Sequence, residues 1–591
     1  MKNFFKMVLA TMLGVILLQV LLLLLFIFVS IGMVASVSTN TPTSIKPNSV
    51  LQLKLETPIQ ERTADNPFKN LNSYQNQVPL SFKDLVDCIN KAATDDNIKG
   101  ISIETQYIGA SLATLEELRN VLIAFKKSGK FIYCYADGYS QSAYYVLSVA
   151  DKICINPQGT LDLHGLSFNT MFLKGLLDKL DIETQIVKVG TYKSAVEPFV
   201  LNKMSEANKK QTSDLINSIW NNIVNQISKS RNISTETIND DCNQLSFFAN
   251  LEFAKSKGYV DTLMYKDQYI QFLKDVLQLK ENEKINYVQL SEYKNVENKK
   301  ANLSKNKIGI LYANGNIIEG QGDNNSIGYN IAEELRKLQK DSSIKAIVLR
   351  VNSGGGSALM SENIWREVVN CKSSKPVVVS MSDMAASGGY YISCASDFIV
   401  AEPNTITGSI GVFGMIPNFQ KLMTNKIGIT FDGVKTNSHS DFLSNRTRPM
   451  DEYELAVMQQ SVNNVYSTFL QRVSNGRGIP TDFVDSVGQG RIWSGIDALT
   501  LNLVDTLGGL DVAIAKAAEL ANLKDYTTQD YPHIKTFFED IMESLYIAHL
   551  QIIENKKQTE LGVFYPYFCQ MEEILNRSGI QAVVPYIYVI K

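Results

Sequence analysis

The amino-acid sequence predicts an α/β protein in which two similar domains follow an N-terminal transmembrane helix. Three observations predict this: a long apolar run near the N-terminus, a resemblance between the two halves of the chain, and short apolar runs that alternate with helical patterns in each half. The length of 591 residues also requires more than one domain, since single cores rarely grow past about 250–300 residues.

The N-terminal run is long enough to cross a membrane. Met7–Ile45 contains no charged residue and no histidine, and Val8–Val34 is almost entirely apolar. About 20 apolar residues span a bilayer as a helix, whereas the apolar core of a cleaved signal peptide has about 7–15. We predict a cytoplasmic segment 1–6 and an uncut anchor at 7–36. The alternative is a long signal peptide that is cut near Ala35.

Charges around this run predict the orientation of the chain. Lys2 and Lys6 precede the run, and no cation follows until Lys46. The positive-inside rule then places the N-terminus in the cytoplasm and the rest of the chain on the periplasmic, extracytoplasmic side of the inner membrane. The net charge of −3 gives no support to a nucleic-acid partner.

The two halves align at an offset of 246 residues. At this offset Tyr144-Tyr145 falls on Tyr390-Tyr391, and Arg231 falls on Arg477. The predicted domain boundaries follow from the alignment: a first copy at 46–280, a linker at 281–307, a second copy at 308–522 and an extension at 523–591. The linker is rich in Lys, Glu and Asn, which is typical of an exposed helix or a flexible connection. The extension resembles neither copy.

Within each copy, continuous β-branched and apolar runs predict parallel strands that helices cover on both faces. The runs in the second copy are Ile308–Tyr312, Ala346–Val351 and Pro376–Ser380. Their counterparts in the first copy are Val50–Leu55, Gly100–Ile103 and Lys130–Tyr135.

The seven cysteines do not predict a metal site or a cofactor site. They are scattered and show no C-x-x-C spacing, so zinc binding is unsupported. Several lie inside strand-like apolar runs, where a cysteine is typically a small buried residue.

A candidate nucleophile lies at a predicted strand-to-helix turn. Ser387 follows two alanines and precedes Gly388 and Gly389. At the start of a helix, free N–H groups favour a developing anion. Upstream, the glycine run that includes Gly355 and Gly356 follows another predicted strand, and such a run can present the N–H groups of an oxyanion hole. Each motif is equally consistent with a tight βα connection that has no chemical role.

The residues alone leave the base for this serine open. At the offset of 246, Ser387 falls on Gln141, whereas Lys193 falls on His439. A Ser-His arrangement with His439 is one alternative. A lysine that burial holds neutral, and that accepts the serine proton, is the other. A duplication that keeps the serine in one copy and a lysine in the other favours a composite active site.

Four segments together resemble signal peptide peptidase A, also called protease IV, in its long tandem form. These segments are Gly190–Phe199, Leu349–Ser357, Met384–Tyr391 and Thr407–Val412. The resemblance implies two Clp protease/crotonase-like domains, each a spiral of ββα units. It also implies a Ser/Lys dyad of Ser387 and Lys193, with Ser409 orienting the lysine. The implied oxyanion hole uses the N–H of Gly355 or Gly356 together with that of Gly388.

The resemblance further implies a membrane-bound homotetramer that degrades cleaved signal peptides. One position departs from the family pattern, because Gly354 stands where the family usually carries proline, which leaves the loop less constrained in φ. Three alternatives remain: a non-catalytic envelope scaffold with the same fold, a crotonase-type enzyme that acts on acyl-CoA, and a serine protease that uses His439 as its base.

Overall fold

The computed structural model describes residues 13–15, 17–19, 21, 45–63, 79–296, 304–323, 325–443, 447–534 and 581–583. Most of the predicted anchor at 7–36 lies outside these residues, and the parts of it that are described are helical. None of the helices formed by the described residues is both long enough and apolar enough to span a bilayer.

Twenty-two strands are described, nine of them before residue 290. The first nine are β1 (Ser49–Leu53), β2 (Ile59–Gln60), β3 (Leu80–Ser81), β4 (Ile98–Ile103), β5 (Phe131–Tyr139), β6 (Lys152–Leu161), β7 (Glu183–Val189), β8 (Thr262–Leu263) and β9 (Asn286–Gln289). The others are β10 (Lys307–Asn314), β11 (Asn316–Ile317), β12 (Ser326–Ile327), β13 (Ile344–Ser353), β14 (Gly355–Ser357), β15 (Val377–Ala386), β16 (Phe398–Ala401), β17 (Ile406–Gly408), β18 (Val412–Asn418), β19 (Ile492–Ser494), β20 (Thr506–Leu507), β21 (Thr527–Tyr531) and β22 (Gln581–Val583).

Helices separate these strands in both copies. In the first copy and the segment after it they are Phe82–Thr94, Leu112–Lys126, Gln141–Leu147, Lys174–Lys179, Glu197–Val200, Glu206–Arg231, Thr235–Asn243, Ser246–Ala249, Leu251–Ser256, Lys266–Val276 and Leu290–Tyr293. In the second copy they are Tyr329–Lys340, Ala358–Lys372, Gly388–Ser393, the π-helix Leu422–Ile427, Glu452–Arg477, Thr481–Val487, Gly495–Thr500 and Leu510–Leu520.

The structure confirms the tandem repeat. The longest helix of each copy has 26 residues, and Glu206–Arg231 lies 246 positions before Glu452–Arg477. Both helices end at a residue in the left-handed conformation, Asn232 in the first copy and Gly478 in the second. A small or polar residue at this position permits positive φ, which stops the helix.

Each copy contains a largely parallel sheet. In the first copy the strand order is β8-β6-β5-β4-β1-β9, and every pairing is parallel. In the second copy the order is β19-β17-β15-β13-β10-β21, and among these described strands only β17 and β19 pair in antiparallel fashion. The central strands are apolar on both faces, as in β13, where Ala346–Leu349 is fully buried. Helices on both sides of the sheet account for this burial.

A third sheet joins the two copies. Its order is β12-β11-β14-β22-β18-β7. The strand β7 comes from the first copy and pairs in antiparallel fashion with β18 of the second copy along seven residues. The copies therefore share a continuous hydrogen-bonded sheet, which fixes their relative position.

The described parts of the chain between and after the copies contain strands that the sequence does not predict. The predicted linker 281–307 contains β9, which pairs with β1 of the first sheet, and the helix Leu290–Tyr293. The side chain of Tyr293 is buried and its hydroxyl donates to Asp95. Past residue 522, β21 adds to the second sheet by pairing with β10. These pairings are long-range in sequence, so local composition does not reveal them.

A buried ion cluster also binds the copies together. Arg350 of β13 is 1% exposed, and its guanidinium contacts the carboxylate of Glu117 at 2.6 Å and that of Glu61 at 3.0 Å. Both glutamates come from the first copy. Burial alone lowers the pKa of Arg350, but the two carboxylates more than offset this effect and raise it. The arginine therefore stays charged and pairs with two buried acids across the interface.

Replacement of Arg350 with Met should destabilise the protein by about 3–5 kcal/mol, because Glu61 and Glu117 would be left buried without their cation. Chemical denaturation measures this change in the free energy of unfolding. Lys337→Met is the matched control, since Lys337 forms an exposed pair with Glu334 and such pairs contribute only about 0–1 kcal/mol. Equal stability of the two variants would show that the buried cluster does not hold the copies together.

Candidate active site

Ser387 occupies a strained position between a strand and a helix. It follows β15 and precedes the helix Gly388–Ser393, with φ 55° and ψ −114°. A non-glycine residue in such a conformation costs on the order of 1–3 kcal/mol, and strain of this kind clusters at functional sites. The N–H of Ser387 donates to the carbonyl of Gly408 at 2.8 Å. This bond and the end of β15 hold the serine in place.

Lys193 of the first copy meets this serine. Its Nζ donates to Ser387 Oγ at 2.9 Å and to Ser409 Oγ at 3.0 Å, and it lies 3.4 Å from the Ser409 carbonyl oxygen. All three residues are 0% exposed. The structure thus brings together the three side chains that the resemblance singles out, although 194 residues separate Lys193 from Ser387.

The β7–β18 pairing explains how residues so distant in sequence meet. Val189 at the end of β7 is paired with Val412 at the start of β18. Lys193 follows Val189 by four residues, and Ser409 precedes Val412 by three. Because the two strands are antiparallel, both residues emerge at the same end of the ladder. Their meeting is a direct consequence of this register.

A loop of the second copy supports the backbone of Lys193. Gly490 has φ +77°, and a Cβ at this position would lie 2.6 Å from the Cβ and the backbone N of Lys193. The neighbouring N–H of Tyr192 donates to the carbonyl of Gln489 at 2.8 Å. Only glycine at 490 allows this close approach.

Gln211 adds a second support from the helix Glu206–Arg231. Its amide nitrogen donates to the Tyr192 carbonyl and to Ser194 Oγ, both at 2.9 Å, while its oxygen accepts from the N–H of Ile492. Sequence reasoning missed both Gly490 and Gln211. The sequence carries no signal for either residue, because both act through contacts between the copies, as Gly490 does against Lys193.

The glycine run lies beside the serine. Gly389, two residues after Ser387, has so little room that a Cβ there would lie 2.5 Å from the Ser353 carbonyl oxygen. Gly356 in β14 is equally confined, since a Cβ there would lie 1.9 Å from the Ile317 carbonyl oxygen. The N–H of Gly355 already donates to Ser353 Oγ at 3.1 Å. Of the two predicted donors in this run, Gly355 is therefore engaged within its own loop.

The first copy fills the equivalent of the serine position with a hydrogen-bonded glutamine. Gln141 Oε1 accepts from the N–H groups of His164 and Gly165 at 3.1 and 2.9 Å, and Nε2 donates to the Gly165 carbonyl at 3.0 Å. Gln141 thus ties down the loop that corresponds to the Ser409 loop of the second copy. This position serves as a structural clamp in the first copy.

His439 makes its contacts away from the serine. Its Nδ1 lies 2.9 Å from Glu454 Oε1, and Arg448 also pairs with Glu454 and with Asp441. The hydrogen bond from Arg448 lowers the pKa of Glu454 and keeps this carboxylate ionised. The ring of His439 also lies against Tyr453. These contacts give His439 a place in a surface ion cluster rather than a bond to Ser387.

The cysteines of the described residues are not activated nucleophiles. Six of them are buried and form no disulfide. Burial raises the pKa of the Cys371 thiol to about 12 and that of Cys394 to the same value. A thiol with so high a pKa carries almost no thiolate at neutral pH.

The chain is similar to known proteases over most of its length. The chain is 38% identical over 477 residues to Protease 4 of Haemophilus influenzae, covering 78% of this chain and 76% of that protein. It is 32% identical over 476 residues to a chloroplastic serine protease, SPPA, of Arabidopsis thaliana, covering 79% and 70%. A candidate signal peptide peptidase, SppA, of Enterococcus faecium is 34% identical over 242 residues, covering 40% and 70%.

The protein is therefore a serine peptidase. The model of peptidase family S49 matches residues 124–280 and again residues 370–524, once in each copy. The chain belongs to peptidase family S49. Among solved structures, a point mutant of ClpP1 from Listeria monocytogenes aligns with 13% identity and a TM-score of 0.24, covering 36% of this chain and 95% of that chain.

Replacement of Gly490 with Ala should lower kcat by on the order of 100-fold, because the new Cβ must displace the backbone of Lys193 and small misplacements of a catalytic group are that costly. Steady-state kinetics with an apolar peptide substrate measures the effect.

Gly478→Ala is the matched control for this variant. Gly478 also has positive φ, at +65°, but the space that a Cβ would occupy there is open to a distance of 4 Å. Its substitution introduces backbone strain without touching Lys193, so kcat should stay close to that of the parent protein. A similar loss of kcat in both variants would mean that strain alone, and not the position of Lys193, explains the effect.

Proposed function

We propose that this peptidase is an endopeptidase with a Ser387/Lys193 dyad that degrades cleaved signal peptides and similar hydrophobic peptides. The observation that carries the proposal is the 2.9 Å hydrogen bond from Lys193 Nζ to Ser387 Oγ in a fully buried setting. The names of the relatives support the substrate class, since they include Protease 4 and a candidate signal peptide peptidase.

Lys193 acts as the general base in the proposed mechanism. Burial disfavours the ammonium form, so the pKa of a fully buried lysine falls below its usual value. The neutral amine accepts the proton of Ser387 as Oγ attacks the peptide carbonyl carbon. Ser409 Oγ, 3.0 Å from Nζ, holds the amine in line with Ser387.

The negative charge on the carbonyl oxygen is stabilised by backbone N–H groups. The N–H groups of Gly388 and of Gly356 serve as donors, because Gly355 already donates to Ser353. Lys193 then returns the proton to the leaving amine, and the peptide C–N bond breaks. A water molecule, deprotonated by the same amine, hydrolyses the acyl-enzyme and regenerates Ser387. The proposed steps call on no metal or cofactor.

Ser387→Ala and Lys193→Met should each lower kcat/KM for a fluorogenic signal-peptide-like substrate by at least about 10³-fold, because each removes one member of the reacting pair. Ser409→Ala should lower it by about 10- to 100-fold through loss of lysine orientation.

His439→Ala serves as the control and should retain the parent rate. Loss of turnover in His439→Ala together with retention in Lys193→Met would contradict the dyad. Full turnover in Ser387→Ala would leave the chain without its proposed nucleophile and would favour a non-catalytic role for this site.

The rate should fall as the pH is lowered, because protonation of Lys193 removes the base. A lysine whose pKa is lowered by burial is neutral above that pKa and charged below it. The pH profile of kcat/KM reports the pKa of the free enzyme. A profile that is flat from about pH 5 to about pH 9 would exclude a lysine base of lowered pKa.

We also propose that residues 7–36 anchor the protein in the inner membrane, with the N-terminus in the cytoplasm and both copies on the periplasmic side. The uncharged apolar run and the lysines before it support this arrangement. Recovery of the full chain in the soluble fraction after cell disruption would contradict the anchor.

A Clp protease/crotonase-like spiral for each copy and a homotetramer of the chain complete the proposal. Support for the spiral comes from the parallel sheet of each copy and the smaller third sheet that carries β14. The tetramer rests on the family resemblance. Light scattering of the detergent-solubilised chain tests it, and a monomeric mass would exclude it.

A further inference from the structure

A cavity of 380 Å³ lies between the two copies. The helices Phe82–Thr94 and Leu112–Lys126 of the first copy line one part of it, and β10 and the start of the helix Leu510–Leu520 of the second copy line another. The described residues of its lining include no member of the Ser387/Lys193 dyad. The cavity is therefore separate from the candidate active site.

A buried carboxylate in the lining of this cavity has no hydrogen-bond partner. Glu402, which follows β16, is 0% exposed. Neither of its carboxylate oxygens accepts a hydrogen bond from any described residue. Buried polar side chains are nearly always hydrogen-bonded, because a group that has lost water without gaining a partner costs free energy. An unpartnered carboxylate beside a cavity therefore indicates a site for a ligand that supplies donors.

The nearest cation and the nearest helix N-terminus already serve other groups. The guanidinium of Arg350 donates to two carboxylates and two serine hydroxyls, and Glu402 is not among them. The N–H of Leu510 donates to Glu117 Oε1 at 2.8 Å. Glu402 therefore gains no donor from the protein groups that neutralise its neighbour Glu117.

The surroundings of Glu402 favour a positive charge. Burial, and after it the nearby carboxylates of Glu117 and Glu116, raise the pKa of Glu402 well above that of an ordinary glutamate. A cation that pairs with Glu402 takes the place of a proton there. Its charge also offsets the repulsion among the three carboxylates.

A second unpartnered polar group lines the same cavity. Tyr312 of β10 is 6% exposed, and its hydroxyl forms no hydrogen bond with the described residues. A tyrosine hydroxyl can accept a hydrogen bond as well as donate one. A ligand with several N–H donors therefore suits both the hydroxyl and the carboxylate.

The remaining lining is apolar on the walls and acidic at the exposed edge. Val86, Val121, Ile310 and Val512 contribute aliphatic side chains to the walls. Asp511 is exposed and forms no ion pair with the described residues. The pattern of a buried acid, an aliphatic wall and an exposed acid matches a chain of methylene groups that carries a positive charge at each end.

The arrangement does not suit a metal ion. Ca²⁺ and Mg²⁺ require several oxygen ligands around one point. Among the described residues, the one cluster of three side chains close enough to share an ion is His439, Asp451 and Glu454, which does not include Glu402. An ammonium group needs no such cage, since its own N–H groups donate to the oxygens that are present.

We propose that the cavity between the copies binds a linear aliphatic diamine or longer polyamine. One ammonium group pairs with Glu402, the methylene chain lies along the aliphatic wall, and a second ammonium group meets Asp511. This site goes beyond the proposed peptidase function and does not depend on it. Because both copies line the cavity, the bound amine adds a contact between them.

Isothermal titration calorimetry of the full-length, detergent-solubilised protein with cadaverine tests the proposal. Glu402→Gln keeps the size of the side chain and removes its charge, so Kd should rise at least about ten-fold. Asp511→Asn should raise Kd only about three-fold, because the second contact is exposed. Glu367→Gln is the matched control, since Glu367 is a buried glutamate that pairs with Arg336 outside the cavity. Absence of binding to the parent protein, or an unchanged Kd in Glu402→Gln, would overturn the proposal.

A steric variant tests the location without removing a charge. Val121→Trp fills part of the cavity and leaves Glu402 in place, so it should raise Kd at least about ten-fold by excluding the methylene chain. Circular dichroism during thermal unfolding establishes that each variant retains a cooperative transition. A folded Val121→Trp protein that binds cadaverine with the parent Kd would place the ligand elsewhere and would contradict the assignment.

Two further titrations test the chemistry of the ligand. Pentylamine has the same chain with one ammonium group and should bind about three-fold more weakly than cadaverine. Magnesium chloride supplies a divalent cation without a methylene chain and should not displace cadaverine at equal concentration. Displacement by magnesium would mean that charge alone selects the ligand, and the amine assignment would fail.

The Ser387→Ala variant separates this inference from the proposed function. It should bind cadaverine with the parent Kd, because Ser387 does not line the cavity. Loss of cadaverine binding in this variant would connect the ligand to the dyad and would contradict a separate site. Failure of every form to hydrolyse peptides would remove the proposed function and leave the amine site standing.

Discussion

The seven-residue ladder between β7 and β18 is the constraint on which the site depends. It is a contact between copies, so neither copy builds the site from its own strands. The antiparallel register sets where each loop leaves the sheet, and a shift of one residue would turn every side chain of β7 to the opposite face. The distance between Lys193 and Ser387 is therefore fixed by backbone hydrogen bonds rather than by the two side chains. Arg350 and its two glutamates add a second, ionic contact between the same copies.

Preorganisation of the amine also explains several unusual local features. Ser387 is held at positive φ, Gly490 permits contact with the lysine backbone, and Gln211 connects the lysine loop to the longest helix of the first copy. Each feature restricts the conformations available to a loop of the site. A neutral lysine base, as proposed for this site, requires a dry environment, and a dry environment requires that the surrounding loops fit without gaps.

Much of the fold is predictable from the sequence because both copies repeat the same alternation of apolar strands and helical segments. The offset of 246 aligns Ile98 with Ile344, and the strands β4 and β13 begin at these residues. β9 and β21 escape prediction because their partners lie far away in the chain, and short strands of mixed composition carry little local signal.

Sequence patterns alone predict only some of the residues of the candidate site. Ser387 and the glycine run can be selected as candidates because they follow predicted strands at tight turns. Lys193 is one of 57 basic residues, and no local sequence pattern distinguishes it. Family resemblance, not physics, selects it from the sequence. Gly490 and Gln211 act through contacts across copies, which no pattern along one copy encodes.

The order in which the ribosome delivers these elements has a consequence for the cell. Lys193 is synthesised long before Ser387, and the glycine that supports it, Gly490, emerges later still. Domains of a nascent chain generally fold as units, N-terminal first, so the first copy can complete its own sheet before Ser387, the proposed nucleophile, has been synthesised. Hydrolysis by the proposed dyad can begin only after nearly the whole second copy has been translated and has paired with β7. A partly synthesised chain therefore has no complete dyad, and peptidase activity through this dyad follows synthesis with a delay.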